Sequence, residues 1–391
     1  MFEKLAFSRR RGIAVASTLA LALTLSACGG DSDSKASSSD GISLKIGAID
    51  NLTGNYGPAG SAEICGVEVA ADVVNNGGVE GVTVALDVQD TRSEIASAAR
   101  IATSMTAEGT NLFVGGTATA FVLASIPMFN GAGALYMAGL TLSPAVVEEG
   151  DLPLRINPDN GQSAEQLAIA VEESGAKSVV FVGDQGDYGE GAIAQMREAL
   201  SKDIEVKQAI TVDPTSSAFA PTISRVKAAD ADAVVFYVGG SVREVAFLRE
   251  YEKSDVPAQL FAGTAVISLP VVKAAGGAAD GVTTVIPYAA DMSNDVNATF
   301  LEGFEKYASN HKSCEGVGID FFAENGYSQV LLLAEAAKAA GSNDPKEIRD
   351  TAIDGTWDLP RGSVTFQNTG QIDAELIVAV GDGSSGLVQK D

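Results

Sequence analysis

The sequence predicts an α/β fold of two lobes, each a Rossmann-like set of βα units around a parallel central sheet. Three observations carry that expectation. Short Val/Ile-rich runs recur at 44–50, 82–90, 111–116, 134–140, 177–184, 204–212, 232–238, 259–263 and 282–288, most of them separated by roughly 15–30 residues, the spacing of repeated βα units. The segments between them have helical period: Ile64, Val67, Ala71 and Val74 recur at steps of three to four before a stop at Asn75, Asn76, Gly77 and Gly78. A similar stripe runs through Val330, Leu333, Ala337 and Ala340 to Gly341. The rhythm breaks at Pro158, so four strands fall before it and five after. Two such sets in series form a cleft between the carboxyl ends of their strands, where α/β sheets bind ligands.

Ahead of the first strand, Lys4, Arg9, Arg10 and Arg11 precede an apolar run from 13 to 25 and the tetrapeptide LSAC, which ends at Cys28. Positive, then apolar, then small is the order of a secretory signal, and Cys at the cleavage point resembles the bacterial lipoprotein signal. The apolar run holds 13 residues, short of the roughly 20 that a spanning helix needs. Residues 1–27 are therefore expected to be removed, leaving Cys28 acylated and the chain anchored to the cell membrane, outside the cytoplasm. The stretch SRRRGI at 8–13 also resembles a twin-arginine export motif. Residues 28–43 read as a flexible tether, since GGDSDSKASSSDG at 29–41 has no large apolar side chain.

Removal of the signal would take Lys and Arg from 26 to 22 and Asp and Glu from 51 to 50, moving the formal charge from -25 to -28. So acidic a surface repels phosphate backbones and anionic headgroups, which argues against nucleic acid as a partner and leaves any membrane link to the lipid. Cys65 and Cys314 are the remaining thiols. Outside the cell they can persist as a disulfide, or they can pack as two small buried hydrophobes; the sequence leaves both open.

Five blocks, in order over nearly all of the mature chain, carry a family likeness: KIGAIDNLTGNYG at 45–57, NNGGVEG at 75–81, VQDTR at 88–92, VGDQGDYGEG at 182–191 and YSQVLLLAEA at 327–336. The chain from Leu44 onward resembles the type I periplasmic binding proteins, in the leucine/isoleucine/valine-binding branch that serves ABC importers. The resemblance implies a monomeric receptor that captures a small ligand and hands it to an ABC permease, with no cofactor and no catalysis. It also implies three crossings between the lobes, so that lobe I comprises 44–157 plus 289–355 and lobe II 158–288 plus 356–391. Strand spacing alone would give two contiguous domains. A ligand-sensing lipoprotein docking on a signalling partner is the competing reading, since one fold serves both ends.

The family's ligand positions carry over to Tyr56 in the first loop, to Thr117 and Thr119 after the third strand, and to Tyr188 at the first helix of lobe II. Loop GGTAT at 115–119 precedes a helical run, whose N-terminal N–H groups suit a carboxylate. Two departures follow from the comparison. Ala265 stands where amino-acid binders of this branch place an acid to pair with the ligand ammonium. Leu140 and Leu142, flanking Thr141, stand where the family has small or hydroxyl residues, which predicts a more apolar pocket. Ser241 replaces a large side chain, and Arg243 beyond it either clamps a ligand anion or is spent on solvent, Asp184 or Glu244.

Catalytic and metal chemistry find no support in the residue pattern. The single histidine, His311, lies in a polar segment near Cys314 and reads as a solvated loop residue. The spacing of VGDQGDYG does not fit a dinucleotide loop, and one histidine with scattered acids does not build a zinc site.

Overall fold

The computed structural model describes residues 41–148, 150, 152–382 and 388–389. Cys28, the signal and nearly all of the tether therefore lie outside the described residues.

The first sheet is wholly parallel and joins β1 (Ile42–Asp50), β2 (Val82–Asp90), β3 (Leu112–Gly115), β4 (Leu135–Ala138) and β5 (Leu154–Arg155) in the order β2-β1-β3-β4-β5. Its connections are helices α1 (Gly57–Val73), α2 (Ile95–Ala107), α3 (Thr119–Ala132) and the single turn α4 (Ala145–Glu148). The second sheet follows α5 (Asn160–Glu173) and is built from β6 (Ser178–Asp184), β7 (Glu205–Val212), β8 (Ala233–Tyr237), β9 (Gln259–Ala262) and β10 (Thr283–Ile286), with α6 (Gly189–Ala199), α7 (Ala220–Ala229), α8 (Ser241–Lys253) and α9 (Leu269–Ala275) between them. Every residue of β3, β4, β6 and β8 is buried. Their unbroken apolar runs are what a parallel sheet covered on both faces requires.

After β10 the chain returns to the first sheet through α10 (Asp295–Ala308), α11 (Phe321–Ala340) and α12 (Pro345–Asp354). Helix α11 is buried over most of its 20 residues and lies against α1. Gly66 and Gly326 make that approach feasible: a Cβ on either would collide with the facing backbone carbonyl, of Ala323 and of Glu63 respectively. Cys65 on α1 and Cys314 in the turn after α10 are joined by a disulfide with a Cα separation of 5.2 Å.

The nine expected strands all form, with β1 starting at Ile42, two residues early. The C-terminal segment departs from expectation. Residues 356–373, assigned with lobe II, first make a separate antiparallel sheet of β11 (Thr356–Leu359), β12 (Gly362–Phe366) and β13 (Ile372–Asp373), packed on α10, α11 and α12. Only then do β14 (Ile377–Val380) and β15 (Val388–Gln389) extend the second sheet, to the order β15-β14-β10-β9-β8-β6-β7.

The chain thus passes between the lobes three times, after β5, after β10 and after β13. The first and third passages are bonded side by side: Arg155 N–H donates to Gly370 O at 2.8 Å and Gln371 Nε2 to Asn157 O at 3.0 Å. Arg361 ties them to α11, donating to Glu324 Oε1 at 3.0 Å and to Ile156 O at 2.9 Å. Such a short, bonded crossing suits a hinge between rigid bodies.

Candidate functional site

A cavity of about 210 Å³ lies at the carboxyl ends of both sheets. Tyr56, Thr117, Thr119, Leu140, Thr141, Leu142, Tyr188, Ser241 and Ala265, drawn from six separated stretches of the sequence, all line it. The parallel sheets explain the convergence, because each residue follows the C-terminal end of a strand or opens the next helix.

On the first lobe, Gly115 and Gly116 adopt φ of +108° and +114° and turn the chain from β3 toward α3. A Cβ on Gly115 would stand 2.5 Å from Ile49 O, so the turn admits only glycine there. Thr117, which follows, borders the cavity with its polar atoms already committed. Its N–H donates to Asp50 Oδ1 at 3.2 Å, and its hydroxyl bonds to Asp50 and lies 3.1 Å from Glu63 Oε2. Burial, with Asp50 beside it, holds the Glu63 carboxyl well above the usual range.

Thr119 opens α3, and its Oγ1 lies 2.8 Å from Thr141 Oγ1. Each hydroxyl has one hydrogen, so whichever of the two accepts keeps its own hydrogen for another partner. The N-cap residue of α3 is Ala118, whose side chain caps nothing. Phe121 N–H already donates to Ala118 O at 3.1 Å, so the N–H groups of Thr119 and Ala120 are the ones left for solvent or a ligand. Leu140 and Leu142 are buried beside them, and Phe321 and Phe322 of α11 complete an apolar wall. Tyr56 heads α1, meets Phe121 edge-on with ring centroids 5.5 Å apart, and has its phenol pKa raised by burial.

On the second lobe, Asp184 ends β6 and accepts from Gly239 N at 2.7 Å and from Arg243 at 2.7 and 2.8 Å. Arg243 places its remaining N–H groups on the carbonyls of Ser216, Gly239 and Asp213 at 2.8–2.9 Å. All five guanidinium donors are therefore used, and Arg243 has none left to clamp a ligand anion. Ser241 is buried at the start of α8, and Ala265 sits in a short 3-10 turn, Thr264–Ile267.

Glu244, Asn157, Phe321 and Phe322, none of them among the sequence-based site residues, line the same cavity. Phe321 and Phe322 follow the N-cap Asp320, whose carboxylate accepts from Phe322 N and Ala323 N at 3.0 and 3.1 Å and, across from the second lobe, from Leu269 N at 3.0 Å. An Asp directly before an apolar run was the available signal. His311 is exposed, with its ring stacked on Tyr307. Among the described residues no group of three or more His, Cys, Asp or Glu side chains is placed to hold a metal ion, and no helix is long and apolar enough to cross a membrane.

Comparison with known proteins adds context to this geometry. A family model described as periplasmic binding protein matches residues 43–386. The leucine-, isoleucine-, valine-, threonine- and alanine-binding protein of Pseudomonas aeruginosa is 23% identical over 335 residues, covering 84% of this chain and 87% of that protein. Among solved structures, an R. palustris ABC transporter solute binding protein in complex with 4-hydroxybenzoate superposes with a TM-score of 0.80 at 21% identity, covering 89% of this chain and 96% of its own. A leucine binding protein from Thermotoga maritima reaches 0.79 at 21% identity, covering 89% and 98%. The matched family is one of substrate-binding proteins rather than enzymes.

Proposed function

The chain belongs to the periplasmic binding protein family, and from that premise we propose that it is a lipid-anchored extracytoplasmic receptor that captures a small apolar carboxylate or amino-acid-like compound and delivers it to an ABC importer. The observation that carries this reading is the cavity itself, whose lining comes from both lobes. A ligand held there touches Thr119 and Leu142 on one side and Tyr188 and Ser241 on the other, so its binding energy is realised only when the lobes are closed. In this reading the carboxylate sits at the uncapped start of α3 beside Thr119 and Thr141, and the ligand body lies against Leu140, Leu142 and Phe322. The P. aeruginosa relative is named for aliphatic amino acids and the R. palustris neighbour holds an aromatic acid; both chemistries fit an apolar wall beside a carboxylate subsite. Cys28 carries the lipid and residues 29–41 the tether, which keep the receptor at high effective concentration near its permease.

A thermal-shift panel of amino acids, their deaminated counterparts and aromatic acids tests the reading. A ligand at 100 times its Kd stabilises the folded protein by about 2.7 kcal/mol. No shift from any member, with protein that unfolds cooperatively, would remove the carboxylate-receptor reading. Cys28→Ala is expected to release the protein from the membrane fraction; retention there would remove the lipid anchor.

A further inference from the structure

Just after β5, where the chain first crosses between the lobes, Asn157 is 2% exposed and lines the cavity. Its Oδ1 has no hydrogen-bond partner in the protein, although buried polar groups in native proteins are nearly all bonded. The neighbours of Asn157 fix what is missing. Its Nδ2 donates to Leu140 O at 3.3 Å, and that bond sets the amide, because turning it over would bring two carbonyl oxygens together. The backbone is held as well: Gln371 Nε2 donates to Asn157 O at 3.0 Å and Arg361 Nη1 to Ile156 O at 2.9 Å. An amide oxygen only accepts, so the unmet need is for a donor. The Tyr188 hydroxyl and the Glu244 carboxyl, which line the same cavity from the second lobe and can donate, are not bonded to it.

Position and charge narrow the donor. Leu140 directly precedes Thr141, whose hydroxyl lies 2.8 Å from that of Thr119 at the start of α3, the end at which the ligand carboxylate is placed above. The missing donor therefore belongs close to that carboxylate. Burial pushes the Glu244 carboxyl up to about 8, so that it is largely protonated near neutral pH. Asp184 is spent on Arg243, and Ala265 offers only a methyl group. An ammonium would lie there without a ready counter-ion, which is costly in a buried site, whereas a neutral amide oxygen is matched by a neutral O–H.

We propose that Asn157 is a specificity-determining residue of this cleft and accepts from a hydroxyl adjacent to the ligand carboxylate, so that the receptor takes apolar 2-hydroxy acids in preference to the same acids without the hydroxyl. This inference rests on the carboxylate-receptor reading above and names the ligand class within it.

Titration calorimetry with two ligand sets tests this. One set is 4-methylpentanoate, its 2-hydroxy derivative and L-leucine; the other is 3-phenylpropanoate, its 2-hydroxy derivative and L-phenylalanine, with each hydroxy acid measured as both enantiomers. The proteins are the wild type, Asn157→Ala and the closer-sized Asn157→Leu, so that a cavity or misfolding in one variant does not decide the result. In at least one set the better enantiomer of the hydroxy acid is expected to bind the wild type about tenfold or more tightly than the parent acid, because a site that bonds a hydroxyl penalises its absence. Both substitutions are expected to close that gap by weakening the hydroxy acid alone. Equal affinity of hydroxy and parent acids for the wild type would show that Asn157 selects no hydroxyl, while the carboxylate-receptor reading stands. A gap that survives the substitutions, or equal weakening of both acids, assigns Asn157 a structural role at the crossing and also overturns the inference. Tighter binding of the amino acid than of the hydroxy acid in both sets overturns the ligand class. If no member of either set binds, the carboxylate-receptor reading falls for these apolar acids, and the inference with it.

Discussion

The two walls of the cavity are built to different standards of completeness. On the first lobe, Thr117 is bonded to Asp50 and Glu63, Thr119 to Thr141, and Gln329 to Glu63 and Gly115, and Asn157 Oδ1 is the exception, buried at the cavity without a partner. On the second, Arg243 and Asp184 satisfy one another, yet Glu244 and Tyr188 beside them keep buried atoms without a partner. A wall whose side-chain bonds are mostly closed offers chiefly its backbone and its shape, which suits a feature shared by many ligands, such as a carboxylate. An open wall demands that the ligand close it, and that demand selects among ligands. The hinge matters to the same division, because the second wall meets the ligand only as the lobes come together.

The sharpest way to break this contrast is to open the closed part of the second wall. Arg243→Ala leaves Asp184 buried without its counter-ion next to Glu244, and is expected to cost about 3–5 kcal/mol in denaturant unfolding. A loss under about 1 kcal/mol would mean that water replaces the guanidinium and that the wall is not dry. The first lobe has a covalent counterpart. Replacing Cys65 and Cys314 together by Ala removes the tie between α1 and the turn after α10, with an expected loss of about 2–4 kcal/mol and little change in ligand affinity, since neither residue lines the cavity.

Glu244→Gln sharpens the contrast through pH. The folded carboxyl is raised to about 8 from its ordinary 4.5, so its contribution to stability is fully present below about 4.5 and is lost as pH rises through 8. Ligand-free wild type should therefore lose stability over that window relative to Glu244→Gln. By pH 9 the variant is expected to be the more stable by about 1–3 kcal/mol. Asp320, raised to about 6 by burial, and Glu63 give slopes of the same sign in both proteins, so the difference between the two curves isolates Glu244. Parallel curves would mean that the buried carboxyl already has a partner.

Strand positions were legible because a parallel sheet writes itself as recurring Val/Ile runs, and the cleft followed from where such sheets place their loops. The family resemblance brought nine residues to one cavity, but not the state of their polar atoms. Thr117 shows why: in sequence it is a hydroxyl after a glycine pair, and only Asp50 and Glu63, 67 and 54 residues away along the chain, decide that its hydroxyl is spent. Strands β11 to β13 escaped because pieces of two to five residues in an antiparallel sheet carry no period long enough to count. Glu244 was visible only as a neighbour of Arg243, since the direction in which each leaves α8 depends on how the helix seats against Asp184.

The smallest expected effects make the most direct test of open against closed, because two hydroxyl deletions should differ in sign as well as size. Thr119→Val removes a bond to Thr141, a residue only 1% exposed, so ligand-free protein should lose about 1 kcal/mol. Tyr188→Phe removes a hydroxyl with no partner, so ligand-free protein should be unchanged or slightly more stable. Binding of the best ligand from the panel should behave differently, with Tyr188→Phe weakening it by about 1–2 kcal/mol because the ligand loses a bond that the protein never made for itself. Measured by thermal melts with and without ligand, equal losses of ligand-free stability in the two variants would place Tyr188 in the same closed network as Thr119. The second wall would then have no greater claim to selectivity than the first.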